Sequence, residues 1–154
     1  MVISLNKANM DDCQTIHEMQ VESFRALLDK YNDYDTNPAA EPLNRVEQRM
    51  AQDFTDYYFI CKAGLNVGAI RVLRLKEDTC RISPMFIIPK HQGNGYAQQA
   101  IQEVEALYPM TKNWELDTIK QETKLCYLYE KMGYQRTSKE ENIKDGMDIV
   151  FYRK

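Results

Sequence analysis

The chain has 154 residues, 44% of them hydrophobic and 28% charged, which fits one soluble globular domain over residues 1–154 with a core of its own. The formal net charge of −3, with no basic stripe, argues against a nucleic-acid binder, and no apolar run reaches the roughly 18 residues of a membrane span. The opening Met-Val-Ile-Ser-Leu-Asn-Lys has no signal-peptide layout, so the expected compartment is the cytoplasm. The cysteines, Cys13, Cys61, Cys80 and Cys126, form no C-x-x-C, and neither His17 nor His91 pairs with one at metal spacing; buried free thiols and no metal site are expected.

Val2 to Lys7 alternates in the manner of a first strand. Asn9 offers an N-cap with Asp12 in the first turn, and Cys13, Ile16, Met19, Phe24, Leu27 and Leu28 follow at helical spacing to near Lys30. Tyr31 to Ala40 reads as a solvated loop by its Asn, Asp and Pro content, and its tyrosines and aspartates are candidate contacts for a cationic substrate. Pro42 starts a second helix at its first position, with Leu43, Val46, Met50 and Phe54 as the apolar stripe. Tyr57 to Ala63 and Val67 to Leu75 read as a hairpin around a Gly64-Leu65-Asn66 turn. Arg71 and Arg74, on the second of these strands, point to opposite faces and form no basic patch. A Lys76-Glu77-Asp78 turn then leads into Thr79 to Ile88, where Pro84 marks a bulge or a break in pairing.

Pro84 to Tyr108 is the stretch around which the chain is organised: a short apolar strand, a turn with Gly93 and Gly95, and a helix with Ala97, Ala100, Ile101, Val104, Leu107 and Tyr108 on one face. A glycine turn feeding a helix N-terminus is a ready phosphate site, because the first N–H groups lack internal partners and the helix dipole is positive there. It is no P-loop, and Gln98 stands where a dinucleotide fingerprint needs Gly or Ala. The antiparallel strands before it also differ from the opening of a Rossmann domain. Downstream, Trp114 to Thr118 reads as a strand, Thr123 to Met132 as a helix ended by Gly133, and Tyr134 to Thr137 and Asp148 to Tyr152 as the last strands, with Ser138 to Gly146 a charged, solvated loop.

Gln92-Gly93-Asn94-Gly95-Tyr96-Ala97 matches Q/R-x-x-G-x-G/A and resembles the acetyl-CoA signature of the GNAT superfamily of N-acetyltransferases. Leu128-Tyr129-Glu130-Lys131-Met132-Gly133-Tyr134 resembles the second signature of that family, L-Y-x-K-x-G-F/Y, in the right order and at the right distance. The resemblance implies an α/β (α+β) GNAT fold, with a mixed central sheet of about six or seven strands in the order β-α-α-β-β-β-α-β-α-β-β. It implies acetyl-CoA as cosubstrate, with the backbone of Phe86, Ile87 and Ile88 pairing with the pantetheine arm and the N–H groups of Gln92, Gly93, Asn94, Gly95, Tyr96 and Ala97 holding the pyrophosphate. Tyr129 would be the general acid, since a phenol of pKa about 10 stays protonated at neutral pH and can donate to a leaving thiolate. Tyr127 is its rival, about 200° away around the helix. Glu122 and Leu125 depart from the family's usual Asn and small residue, and Glu122 would have to serve the cofactor in the asparagine's place. Glu115, Asp117 and Glu22 are the candidate bases.

The expected activity is acetyl transfer to a primary amine on a small molecule or peptide by direct attack in a ternary complex, with a homodimer as the candidate assembly. The alternatives are a non-catalytic acyl-CoA sensor and a nucleotide-dependent enzyme.

Overall fold

The computed structural model describes residues 3–76 and 78–154. Its elements in chain order are β1 (Ser4–Lys7), α1 (Cys13–Tyr31), α2 (Leu43–Met50), β2 (Thr55–Lys62), β3 (Leu65–Lys76), β4 (Thr79–Ile87), α3 (Tyr96–Leu107), β5 (Asn113–Ile119), α4 (Thr123–Lys131), β6 (Gln135–Lys144) and β7 (Met147–Arg153). The strands form one sheet in the order β1-β2-β3-β4-β5-β7-β6. Every pairing is antiparallel except β4 with β5, the pair joined by the crossover through α3. This is the α+β GNAT architecture expected from the sequence.

Two apolar layers hold the sheet. On one face, Ala100, Ile101 and Val104 of α3 and Cys126 and Tyr129 of α4 pack on Ile70, Val72, Ile82, Leu116 and Val150. On the other, Cys13, Ile16 and Met19 of α1 and Val46 of α2 pack on Tyr57, Phe59, Ala69, Phe86 and Ile88. β4 supplies both layers, Ile82 and Ile87 to the first and Phe86 to the second, which Ile88 just beyond the strand joins. All four cysteines are free and buried.

Local chemistry explains the element ends. Asn9 and Asp12 form a reciprocal capping box on a short 3-10 turn that runs into α1. Gly133, at positive φ, ends α4; its N–H reaches the Glu130 carbonyl and that of Tyr134 reaches Tyr129, the paired bonds of a Schellman motif.

Several expectations shift. Val2 and Glu77, placed in a strand and a turn, lie outside the described residues. Pro42 is the N-cap of α2, not its first helical residue, and α2 ends at Met50, so Phe54 is off the helix and exposed. The β2–β3 hairpin turns at Ala63-Gly64, both at positive φ, and Leu65 and Asn66 already pair in β3; such a two-residue turn matches the strand twist. The segment from Ser138 is no loop: it belongs to β6, an edge strand paired along one side with β7. Its charge is ordinary for an edge, where Lys and Glu face solvent and discourage pairing with another chain.

Gly68 of β3 lies against β4, and a Cβ there would collide with the Phe86 carbonyl oxygen. Gly68→Ala is expected to cost about 3 kcal/mol by forcing the strands apart, checked by denaturant unfolding of both proteins.

Candidate active site

The site begins where two strands part. β4 and β5 pair only over Thr79 to Arg81 with Asn113 to Glu115. Beyond Arg81 the β5 side of β4 is open. Ile70 faces Met85 and Val72 faces Ile82, so Arg71 alone spans Ser83 and Pro84, and a bulge stands where Pro84 announced one. Ser83 and Pro84 are joined by a cis peptide bond.

Strand alternation then decides which backbone groups face the opening. The Ile88 N–H is bonded to the Val67 carbonyl of β3 at 2.8 Å. By the antiparallel pattern, Phe86 also turns its backbone to β3, whereas Met85 and Ile87 turn theirs to the gap. Of the expected trio, therefore, Ile87 alone presents its backbone to the opening. Met85 was not foreseen, although the bulge signal at Pro84 pointed at its neighbourhood. Phe86 contributes its ring, edge-on to Phe24 of α1, to the cavity wall.

At the mouth of the gap, Gly93 and Gly95 both take positive φ, and Gly95 caps α3. The N–H groups from Gly93 through Gln98 have no acceptor among the described residues, so they form a positive nest at the start of a helix. The Gln92 N–H does not join them, being bonded to the Pro89 carbonyl; the Gln92 side chain instead braces the loop by donating to the Ile87 carbonyl at 2.9 Å. Asn94 Nδ2 likewise donates to the His91 carbonyl. This run of free N–H groups in a glycine-permitted turn suits a pyrophosphate.

A cavity of about 920 Å³ runs from this nest through the gap. Tyr129 of α4 lines it and is only 8% exposed; its hydroxyl has no hydrogen-bond partner among the described residues. Burial, with the nearby Asp117 and Cys126, pushes its pKa above the ordinary phenol value. Tyr127 is 66% exposed and lines no part of the cavity. Of the carboxylates proposed as base, Asp117 lines the cavity, ion-paired with Arg81 across the fork of the strands, while Glu22 and Glu115 do not line it. Burial, aided by Glu141, holds Asp117 above the usual carboxylate range against Arg81 and Lys139. Beside it Phe151 carries the Lys139 ammonium at 4.2 Å from its ring centre and the Arg81 guanidinium at 5.9 Å.

Other candidates are otherwise engaged. Asp33 lines the cavity, but its buried carboxylate is bonded to its own turn through Thr36. Ile88, Asn94 and Glu122 lie outside the cavity wall. Glu122 caps α4, and its carboxylate accepts from Lys30 Nζ at 2.6 Å and from the Tyr31 hydroxyl, clasping the end of α1 to the start of α4. No group of three or more His, Cys, Asp or Glu able to hold a metal occurs among the described residues, and no helix among them is long and apolar enough to cross a membrane.

A seven-stranded mixed sheet split between β4 and β5, with the start of α3 at the split, is the GNAT fold. The family profile described as "Acetyltransferase (GNAT) domain" matches residues 27–154, and the chain belongs to that family. No curated protein sequence matches it significantly. Among solved structures, an acetyltransferase from Thermus thermophilus superposes with a TM-score of 0.76 at 13% identity, over 100% of this chain and 97% of that one. Spermidine N-acetyltransferase from Vibrio cholerae, in complex with CoA and spermine, gives 0.77 at 16% identity, over 99% and 94%. The ribosomal L7/L12 alpha-N-protein acetyltransferase RimL, in complex with coenzyme A, gives 0.72 at 9% identity, over 100% and 94%. At these identities the likenesses establish the fold.

The Glu122 clasp has a signed pH dependence. Burial raises the Glu122 pKa, but the hydrogen bonds from Lys30 and Tyr31 outweigh it and leave the carboxyl below its ordinary 4.5. A depressed carboxyl stabilises the fold above its unfolded-state pKa and loses that effect as pH falls through the folded-state value. Glu122→Gln should therefore melt below wild type at neutral pH, the gap closing in acid. CoA affinity should stay within about twofold, because the lost hydrogen bonds face α1 and not the cavity. Melting curves across pH and CoA titration check both.

Proposed function

We propose that the protein is an acetyl-CoA-dependent N-acetyltransferase acting on a primary amine by direct attack. The observation that carries the reading is the conjunction, in one cavity, of the free N–H nest, the unpaired side of β4 and the Tyr129 hydroxyl. Acetyl-CoA supplies an acyl group activated as a thioester. The nest from Gly93 to Gln98 holds its pyrophosphate, and the gap side of β4 at Met85 and Ile87 takes the pantetheine amides as a β5-side partner would. The Met85 and Ile87 N–H groups are the donors available for negative charge developing on the thioester oxygen, a contribution of a few kcal/mol when such donors are preorganised.

Asp117 takes the proton from the incoming amine. Its raised pKa brings it nearer the range useful for a base, and its place in the fork keeps it beside the opening. Tyr129, held protonated by burial, gives its proton to the departing thiolate. The acceptor reaches Asp117 over the part of the sheet formed by β5, β7 and β6, where Phe151, Ile149 and Ile143 line the cavity. Two of the three similar structures act, by their names, on spermidine and on a ribosomal protein N-terminus. Both are amines, which supports the reaction class and leaves the acceptor to be chosen by assay.

Thiol release from acetyl-CoA across a panel of amines tests the reading; binding of acetyl-CoA without turnover of any amine would favour a sensor instead. Tyr129→Phe should lower kcat about 100-fold while changing the KM for acetyl-CoA little, the pattern for a lost general acid. Asp117→Asn should lower kcat/KM and remove the acid limb of its pH profile, which in wild type should lie above the ordinary aspartate value of 3.8; an acid limb retained by the variant would refute the role.

A further inference from the structure

Arg71 is an oddity of the core. It is 6% exposed, yet makes no ion pair with any described carboxylate. Nη1 donates to the Ser83 carbonyl at 2.8 Å and Nη2 to Gln52 Oε1 at 3.1 Å, while Nε has no partner. Burial draws its pKa down to about 10, so it is still a cation at neutral pH. Arg74, three residues on and partly exposed, makes the ordinary choice and pairs with the buried carboxylate of Asp56. A buried charge satisfied only by neutral groups is costly, and an apolar side chain of similar length would fill the place without that cost. What an apolar side chain could not do is hold the Ser83 carbonyl.

That carbonyl lies where the ladder fails. Arg71 is the β3 residue that faces both Ser83 and Pro84. In a regular antiparallel ladder the backbone of β3 would bond every second β4 residue, the ones between turning away; at a bulge an extra residue breaks that alternation. The Arg71 side chain replaces the missing backbone bond with a charge-assisted one. Pairing with β5 ends at Arg81, two positions earlier, and both Ser83 and Pro84 line the cavity. Immediately beyond the bulge come Met85 and Ile87, whose backbone faces the gap.

We infer that Arg71 is the positioning residue of the donor site: by holding the Ser83 carbonyl from behind, it fixes the bulge and so the angle at which β4 offers its free edge to the acyl group. The inference rests on the acetyl-transfer reading above. Arg71 touches no substrate and acts through β4.

The test compares Arg71→Met, Arg71→Lys and Gln52→Ala with wild type. Each is assayed well below its melting temperature for CoA and acetyl-CoA binding by calorimetry and for kcat and both KM values. Arg71→Met should weaken acetyl-CoA binding about tenfold, the scale of one charge-assisted hydrogen bond, and lower kcat, with the amine KM unchanged. Arg71→Lys, which keeps the charge and one donor, should recover part of both. Gln52→Ala removes the other partner of Arg71 and should lower the melting temperature alone. Folded Arg71→Met with wild-type binding and turnover overturns the inference, and if that variant does not fold, a wild-type Arg71→Lys overturns it equally. Wild-type protein that binds no CoA would instead defeat the donor-site reading itself, and this inference with it.

Discussion

The structure turns on the early end of the β4–β5 ladder. A parallel pair inside a sheet normally stays zipped, because each buried N–H and C=O left unpaired costs about 1–3 kcal/mol. Here pairing stops at Arg81 and Glu115, and the two strands leave each other at a fork bridged by Arg81 and Asp117. The backbone groups that lose partners border a cavity, where solvent or a ligand can satisfy them. The crossover through α3 follows from the parallel arrangement, and it brings the helix N-terminus to the mouth of the gap. One interruption in a ladder thus places a hydrogen-bonding edge and a positive nest in line.

The two faces of the sheet divide the remaining work. Packing of α3 and α4 on one face is continuous, from Ile60 and Val72 across to Val150 and Tyr152, and it carries Tyr129 in the layer of T-shaped and tilted rings with Tyr134 and Tyr152. The cluster under α1 and α2 on the other face draws on β2, β3 and β4, leaving Ile149 and Phe151 to line the cavity. The end of α1 is secured at this boundary by Glu122 and, through the Asn32 carbonyl, by Lys144. Charge is therefore used in pairs at the fork and at the clasp.

Much of this was legible in the chain because the decisive residues are local in effect. Gly93 and Gly95 signal positive φ, Gly133 signals a helix stop, and Pro84 signals a failed ladder, each through its own backbone chemistry. Hydrophobic alternation likewise identified the strands that are buried on at least one face. It missed the length of β6, whose residues are nearly all exposed, because an edge strand needs no apolar side. The candidate binding stretch was legible as a segment, but which of its residues face the cavity was not. Which backbone faces the gap depends on register against β3, set by a bulge that no window of sequence contains. The engagement of Glu122 with α1 is hidden from the sequence for a related reason: its partners, Lys30 and Tyr31, are about ninety residues away along the chain.

The placement of sulfur has a practical side. Cys13, Cys61, Cys80 and Cys126 are all buried, and none forms part of the cavity wall. In the proposed reaction the thiol freed by acyl transfer emerges into a chamber with no protein thiol to meet it. Under oxidising conditions such a product would have no partner there for a mixed disulfide, so it could leave the chamber instead of capping the enzyme. Aromatic disulfide reagents used to count released thiol would for the same reason find the protein itself nearly silent while it remains folded.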